Sequence, residues 1–180
     1  MMVVPSHGYR AVFTELLSFL DDEAYVVSAT KGIEIETLLT MTGVMAGLRP
    51  DHARWHLSVL SGPSFAKEVA QELPTAVTVA AATEPEAAFV QEIFHTERYR
   101  VYAATDVVGL QVGGALKNIV AIAAGICDGL GYGTNTRAAL ITRGLAEIAR
   151  LGVKMGANPL TFLGLAGVGD LMTTCYSRHS

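Results

Sequence analysis

A lysine stands in the middle of an apolar stretch of the sequence. Residues 112–127 read VGGALKNIVAIAAGIC, in which Lys117 and Asn118 carry the polar side chains. Burial lowers the pKa of an ammonium group and a nearby anion raises it, which suits a donor and acceptor of protons near neutral pH. We therefore expect Lys117 to face a cavity and take part in chemistry. An ion pair with a carboxylate across a helix interface is the alternative.

A second lysine follows a strand-like run. The segment SATKGIE places Lys31 directly after AYVVSA. Residues just past the carboxyl ends of strands line the ligand crevice of open α/β sheets, so Lys31 is well placed to meet an anion. An ordinary turn with a solvated lysine explains the pattern equally well.

The segment SGPSFAKEV also follows a strand-like run. Gly62 and Pro63 fit a turn from strand to helix, and Ser64 is the expected N-cap of that helix. The free amides of its first turn favour an anion such as phosphate. Simple capping is the alternative.

The segment GLAGVGDLMTTCYS contains an aspartate and a threonine at helical spacing. Asp170 and Thr174 lie one turn apart on a helix and so share a face, where they are able to bind hydroxyl groups or orient Lys117. Its glycines do not have the spacing of a dinucleotide-binding loop, and they favour close approach to a neighbouring helix. An aspartate stabilised by the helix dipole is the alternative.

Short strands and single helices alternate over the first part of the chain, beginning with a strand-like MVVP and including a helix around residues 36–46. This pattern predicts an α/β fold with parallel strands joined by right-handed crossovers, a partial doubly wound Rossmann-like sheet. From about Asp106 the pattern becomes helical, with long helices over residues 107–127 and 134–156. We expect the first of these to be a central helix covered on every side. We assign residues 1–105 to the sheet domain and residues 106–180 to an all-helical domain.

Composition excludes several classes of function. The 180 residues carry a net charge of −4 without acidic or basic runs, so we expect no binding to nucleic acid. The scattered histidines and the two cysteines lack ligand spacing, and we expect no metal site and a reducing cytoplasm. Lys117 and the charges of the following helix argue against a membrane span.

Five motifs in order carry a resemblance to a known family. SATKGIE, SGPSFAKEV, GGALKNIVAIAAG, ALITRGLAEI and GLAGVGDLMTTC resemble segments of the bacterial type of NAD(P)-dependent glycerol-3-phosphate dehydrogenase. The resemblance implies a cytoplasmic enzyme with NAD or NADP as cofactor and a helical domain similar to that of 6-phosphogluconate dehydrogenase. The implied reaction interconverts dihydroxyacetone phosphate and sn-glycerol 3-phosphate for glycerophospholipid synthesis. The resemblance leaves open whether the enzyme is a homodimer.

The resemblance also implies roles for individual residues. Lys117 matches the family's proton donor and acceptor for the C2 oxygen, and Lys31 matches a lysine that contacts substrate and cofactor. The remaining matches are substrate contacts at Gly62, Ser64, Asp170, Thr174 and Ser180, and a cofactor contact at Ala66.

The chain departs from the family pattern at both ends. A GxGxxG turn precedes these motifs in the family, and an arginine and an asparagine follow the serine matched by Ser180; neither feature is in this sequence. We therefore interpret the chain as an internal fragment with little or no activity of its own. Without the later helices of the family, we expect the helix over residues 107–127 to leave apolar surface uncovered. The alternatives are a related hydroxyacid-type dehydrogenase and an inactive homologue that acts as an assembly or interaction module.

Overall fold

The computed structural model describes residues 1–176, which form a four-stranded sheet flanked by helices and then a helical region. The strands are β1 (Tyr25–Ser28), β2 (His56–Ser61), β3 (Thr75–Ala81) and β4 (Tyr99–Ala104). The α-helices are α1 (Tyr9–Leu16), α2 (Met41–Leu48), α3 (Ala66–Ala70), α4 (Glu84–Phe94), α5 (Val107–Gly129), α6 (Thr134–Lys154) and α7 (Asp170–Tyr176). Short 3₁₀ turns lie at Ser6–Gly8, Leu17–Phe19 and Pro159–Leu163, and a π-helix at Leu165–Gly169.

The strands lie in chain order, β1-β2-β3-β4. The pairs β1–β2 and β3–β4 are parallel as predicted, but β2 and β3 are antiparallel, so the expectation of parallel pairing throughout is wrong. A crossover helix must run back along the full length of a strand. The five residues of α3 span only about 8 Å at 1.5 Å per residue, so the chain re-enters the sheet at the edge where it left.

Two elements near the start differ from their predictions. The expected first strand is reduced to an isolated parallel bridge between Met2 and Ser28. The helix expected from about Glu36 begins only at Met41, because Ile33 and Thr40 form a bridge that closes a loop before it. The overall class is as predicted: a Rossmann-like sheet comes first in the chain and helices follow it.

The core consists of separate clusters on the two sides of the sheet and in the helical region. Tyr9, Phe13 and Trp55 centre a cluster between α1, α2 and the sheet. A second cluster packs α4 against the strands, and Val77 and Val101 belong to it. The helical region has its own cluster, formed by residues of α5, α6, α7 and the 3₁₀ turn at Pro159–Leu163.

Helix α5 is not covered on every side within the described residues, and apolar surface is exposed on it, as predicted. Ile119, Ile122 and Ile126 are exposed on its second half. By length and composition α5 is able to cross a membrane, and 44% of its most apolar window is buried inside the protein. The apolar residues of α5 fill the whole circumference of the helix, whereas α6 and α7 cover only part of it.

Candidate functional site

One buried carboxylate holds two lysines where the sheet meets the helical region. Oδ1 of Asp170 lies 2.5 Å from Nζ of Lys117. Its other oxygen, Oδ2, accepts a hydrogen bond from Nζ of Lys31. The three residues come from α7, from α5 and from the loop after β1, so the cluster joins both parts of the fold.

Lys117 has a second partner on α7. Its ammonium group donates a hydrogen bond to Oγ1 of Thr174 at 2.7 Å, and that hydroxyl donates to the backbone oxygen of Asp170 at 2.7 Å. The predicted shared face of Asp170 and Thr174 is therefore confirmed. We expected Lys117 to face a cavity, but it faces a carboxylate and a hydroxyl that fix its ammonium group.

The cluster is short of negative charge. Two ammonium groups share one carboxylate, so a net positive charge remains. The side chain of Lys31 is 28% exposed and that of Lys117 is 12% exposed, whereas Asp170 is only 3% exposed. A molecule that approaches from solvent meets the lysines before the carboxylate. This arrangement favours an anion.

Burial changes the acidity of Lys31. It lowers the pKa of the ammonium group from 10.5 to about 8, because the charged form loses water, while the Asp170 carboxylate opposes the shift and Lys117 adds to it. An amine of this pKa exchanges its proton close to neutral pH. Lys31, located just past the end of β1, thus combines a charge for binding with a readily released proton.

Side chains at the start of α5 fix the position of Lys117. The Asp106 side chain caps the helix by accepting a hydrogen bond from the backbone N–H of Gly109 at 2.8 Å. Its second oxygen accepts hydrogen bonds from Asn158 and Thr161, which join the following 3₁₀ turn to the cap. One turn further on, the buried Gln111 side chain bonds the backbone N–H of Thr42 on α2.

Two glycines of α5 let other segments approach closely. A Cβ on Gly113 would lie 2.6 Å from the backbone oxygen of Ala166, in the π-helix that precedes α7. A Cβ on Gly114 would lie 3.2 Å from Cγ of Lys31 and 3.3 Å from Oγ of Ser61. The glycines thus leave room on α5 near Lys117, and the π-helix and the aliphatic part of Lys31 occupy that room.

The SGPS turn lies next to the cluster. Gly62 has φ of +146°, a conformation that favours glycine, and a Cβ there would meet Cα of Val77 at 3.0 Å. Pro63 contacts the segment before α7, since its Cδ lies 3.7 Å from a Cβ placed on Gly169. The turn after β2 thus reaches the helix that carries Asp170.

The predicted capping role of Ser64 is wrong. Helix α3 begins at Ala66 with Phe65 at its N-cap and no side-chain cap, while the Ser64 hydroxyl donates to the backbone oxygen of Gly62 at 3.3 Å. The turn after β2 needs its own hydrogen bond because Gly62 is held in an unusual conformation. The amide-based phosphate site expected at this helix loses its basis, since α3 has only five residues.

The structure brings Lys31, Lys117, Asp170 and Thr174 into direct contact, across 139 residues in the case of Lys31 and Asp170. Ala66 is exposed at the start of α3. Ser180 lies outside the described residues. Sequence reasoning missed Ser61, and it missed that Gly114 lets Lys31 and Ser61 pack against α5. The sequence signal for each was its place within a motif that we had singled out for other residues.

Sizeable cavities lie away from the three charges. One of about 590 Å³ is bordered by Leu60, Phe94 and Tyr99 on the α4 side of the sheet. Another, of about 540 Å³, lies between α5 and α6 beside Ile119 and Arg143. Among residues 1–176 no group of three or more His, Cys, Asp or Glu side chains is placed to hold a metal ion.

Comparison with protein families matches both parts of the fold. Residues 1–87 match the N-terminal model of NAD-dependent glycerol-3-phosphate dehydrogenase, and residues 106–180 match the C-terminal model of the same family. The chain belongs to the NAD-dependent glycerol-3-phosphate dehydrogenase family. This membership weighs against the hydroxyacid-type alternative.

Individual relatives agree with the family. The chain is 60% identical over 175 residues to a glycerol-3-phosphate dehydrogenase [NAD(P)+] of Geobacter sp. (strain M21), covering 97% of this chain and 52% of that protein. It is 56% identical over 180 residues to one from Anaeromyxobacter sp. (strain K), covering 100% of this chain and 54% of the relative.

A solved structure of the family has the same fold. The glycerol-3-phosphate dehydrogenase of Coxiella burnetii superimposes with a TM-score of 0.91 at 41% identity, over 98% of this chain and 53% of that one. The chain therefore spans about half the length of the relatives that it matches.

Proposed function

We propose that this chain carries the substrate-binding and proton-transfer residues of an NAD(P)-dependent glycerol-3-phosphate dehydrogenase. The reaction interconverts dihydroxyacetone phosphate and sn-glycerol 3-phosphate. One observation carries the proposal: two partly exposed lysines share a single buried carboxylate, which leaves a positive charge beside a fixed ammonium group. An anionic carbonyl compound needs both features, one for its phosphate and one for its oxygen.

In this proposal Lys117 moves the proton. Its ammonium group donates a proton to the C2 oxygen of dihydroxyacetone phosphate as that oxygen gains negative charge, and in the reverse direction the amine removes the proton from the C2 hydroxyl. NADH or NADPH, when bound, supplies the hydride for C2. Asp170 and Thr174 hold Lys117 in one orientation through hydrogen bonds.

The remaining residues bind the substrate and one end of the cofactor. Lys31, Gly62 and Ser64 form the rim that contacts the anionic substrate. Ser180, which lies outside the described residues, is a further substrate contact that the resemblance to the family implies. The exposed methyl group of Ala66 and the exposed part of Lys31 fit the cofactor, because a flat nicotinamide ring needs an apolar surface and its phosphates need a cation. The cofactor is NAD or NADP.

We extend the proposal to domain division and location. Residues 1–105 form the cofactor-binding domain and residues 106–180 the substrate domain, with the charged cluster at their junction. The protein works in the cytoplasm, where its product feeds glycerophospholipid synthesis, and it binds no nucleic acid. Helix α5 is a core helix and not a membrane span, since its first half is buried and Lys117 is paired within the protein.

Substitution of Lys117 tests the proposal. Because the chain spans about half the length of its relatives, the test uses a full-length enzyme of the family that contains these residues. There Lys117→Met keeps most of the side-chain volume but removes the proton, so turnover of dihydroxyacetone phosphate should fall about 10²–10⁴-fold, the range for losing general acid catalysis. NADH oxidation measures the turnover. Lys154→Met, at an exposed lysine in the last turn of α6, is the matched control and should behave as the unsubstituted chain.

Two results would overturn the assignment. Turnover that Lys117→Met leaves unchanged removes the role of Lys117. Calorimetric titration that detects a carboxylate substrate such as lactate, but not sn-glycerol 3-phosphate, removes the proposed substrate class.

A second candidate function rests on the exposed face of α5. Ile119, Ile122 and Ile126 form an apolar row beside the cavity between α5 and α6, which favours an assembly role such as a homodimer. Light scattering after size-exclusion chromatography tests this candidate. A monomer at every concentration measured would exclude it.

A further inference from the structure

One buried hydroxyl at the site has no partner. Ser61 is 3% exposed, and its Oγ makes no hydrogen bond with any described residue. A buried polar group left without a partner destabilises the folded state, so such groups call for an explanation.

Ser61 lies beside the lysine that faces solvent. It is the last residue of β2 and directly precedes Gly62. The position of a Cβ on Gly114 is 3.3 Å from the Ser61 hydroxyl and 3.2 Å from Cγ of Lys31, so the hydroxyl and the lysine lie against the same point of α5. The aliphatic part of Lys31 thus lies close to the Ser61 hydroxyl.

The same strand offers a comparison. Ser58 is also buried and without a partner among residues 1–176, but it pairs with Val27 and Ala81 in the middle of the sheet. Ser58 therefore lies three residues back along β2, and Ser61 lies at its end, where the crevice opens. The missing hydrogen bond alone does not mark a binding site, since Ser58 shares it. The location of Ser61 beside Lys31 is what distinguishes Ser61.

We infer that the Ser61 hydroxyl donates a hydrogen bond to the anionic sugar phosphate that Lys31 binds. The inference rests on the proposed function. An anion draws the Lys31 ammonium group away from Asp170, and because the aliphatic part of Lys31 moves with it, the Ser61 hydroxyl becomes accessible to an oxygen of the ligand. Ser61 is thus a substrate-binding residue that is covered before the ligand arrives.

This role predicts opposite effects on stability and binding. Ser61→Ala removes a hydroxyl that has no partner in the free protein, so the melting temperature should stay the same or rise. The affinity for sn-glycerol 3-phosphate should fall about tenfold, because one hydrogen bond to a charged group is lost. A residue that only supports the fold would lower the melting temperature together with the affinity.

Calorimetric titration with sn-glycerol 3-phosphate and thermal unfolding measure the two quantities on the same samples. Ser58→Ala is the matched control: its hydroxyl is also buried and without a partner among the described residues, so the melting temperature should stay the same or rise, and the affinity should be unchanged because Ser58 lies in the middle of the sheet. Ser61→Thr retains a hydroxyl and should retain most of the affinity. Ser61→Cys, with similar volume and a weak donor, should lose affinity as Ser61→Ala does and replaces it if that variant does not fold.

The outcomes separate the inference from the proposed function. Undiminished affinity in Ser61→Ala or Ser61→Cys overturns the inference and leaves the proposed function intact. An equal loss in Ser58→Ala also overturns it, since the effect is then one of strand packing. If the unsubstituted chain binds no sn-glycerol 3-phosphate, both the function and the inference are wrong.

Discussion

The two halves of helix α5 have similar composition and different surroundings. In the first half six consecutive residues are buried, from Gly109 to Gly114, because α2, the π-helix and Lys31 approach from different directions. In the second half only a stripe through Val120, Ala124 and Cys127 is buried, while Ile122 on the opposite face is 66% exposed. Lys117 lies where the two halves meet.

This difference shows what small residues contribute to the site. The first half admits other backbones because glycines leave space for them, and the carboxylate and the second lysine arrive through that space. The second half has apolar side chains that project outward, and the charged cluster of Lys31, Lys117 and Asp170 lies away from them. The chemistry is therefore located by close backbone approach, and apolar composition alone does not determine it.

The strongest test of this comparison is a methyl group in the first half. Gly113→Ala places a Cβ 2.6 Å from the Ala166 backbone oxygen, so the π-helix or α5 must move. We expect the free energy of unfolding to fall by about 1–3 kcal/mol, the usual cost of overpacking. Urea unfolding measures the loss. An unchanged midpoint would show that the two helices are not tightly packed here.

A change of pH tests the lysine that packs against the first half. The pKa of Lys31 is lowered to about 8, so the free side chain loses its charge above that pH, and affinity for sn-glycerol 3-phosphate should fall about tenfold between pH 7 and pH 9. The unfolded chain keeps this proton to about pH 10.5. Unfolding therefore takes up a proton between pH 8 and 10.5, and stability rises with pH across that window as affinity falls.

Lys31→Arg is the control for the pH effect. Arginine stays charged throughout this range, so the decline in affinity should disappear. Titrations at several pH values measure it. A decline of the same size in Lys31→Arg would assign the effect to another group.

The smallest effect is expected in the second half of α5. Gly125→Ala adds a methyl group with no atom within 4 Å, so the gain in helix propensity is not offset by a clash. We expect the free energy of unfolding to rise by roughly 0.5–1 kcal/mol. Urea unfolding of Gly125→Ala and Gly113→Ala under the same conditions compares them directly. The same chemical change at two glycines of one helix should alter the free energy of unfolding in opposite directions. Two changes of the same sign would refute the contrast.

Much of the fold follows from local patterns in the sequence. The strands β1 to β4 and helices α4 to α6 lie where alternation and helical periodicity predict them. The antiparallel pairing of β2 with β3 did not follow, because it depends on the length of α3, and helix ends are the least certain part of such a prediction. Uncovered apolar surface on α5 was predicted, but the exposure of Ile122 in particular was not, since periodicity gives the direction of a side chain along a helix and not what covers it.

The site was predicted in part. Residue type and spacing predicted Lys117, a lysine within an apolar helix, and the pair Asp170 and Thr174, which lie one helical turn apart. In the structure these three residues are in contact. That Lys31 shares the same carboxylate depends on tertiary packing across 139 residues, which no local pattern contains. Ser61 belongs to the SGPS motif, but only the three-dimensional structure shows that its hydroxyl lacks a partner and lies near Lys31.

The π-helix before Asp170 makes the site sensitive to the number of residues in the chain. In this turn the backbone N–H of Gly169 bonds to the oxygen of Gly164, five residues earlier, so the turn holds one residue more than an α-helical turn. Deletion of a single residue from Leu165–Gly169 would rotate every later side chain by about 100° around the helix axis. Asp170 would then point away from both ammonium groups even though no residue that contacts them had been altered.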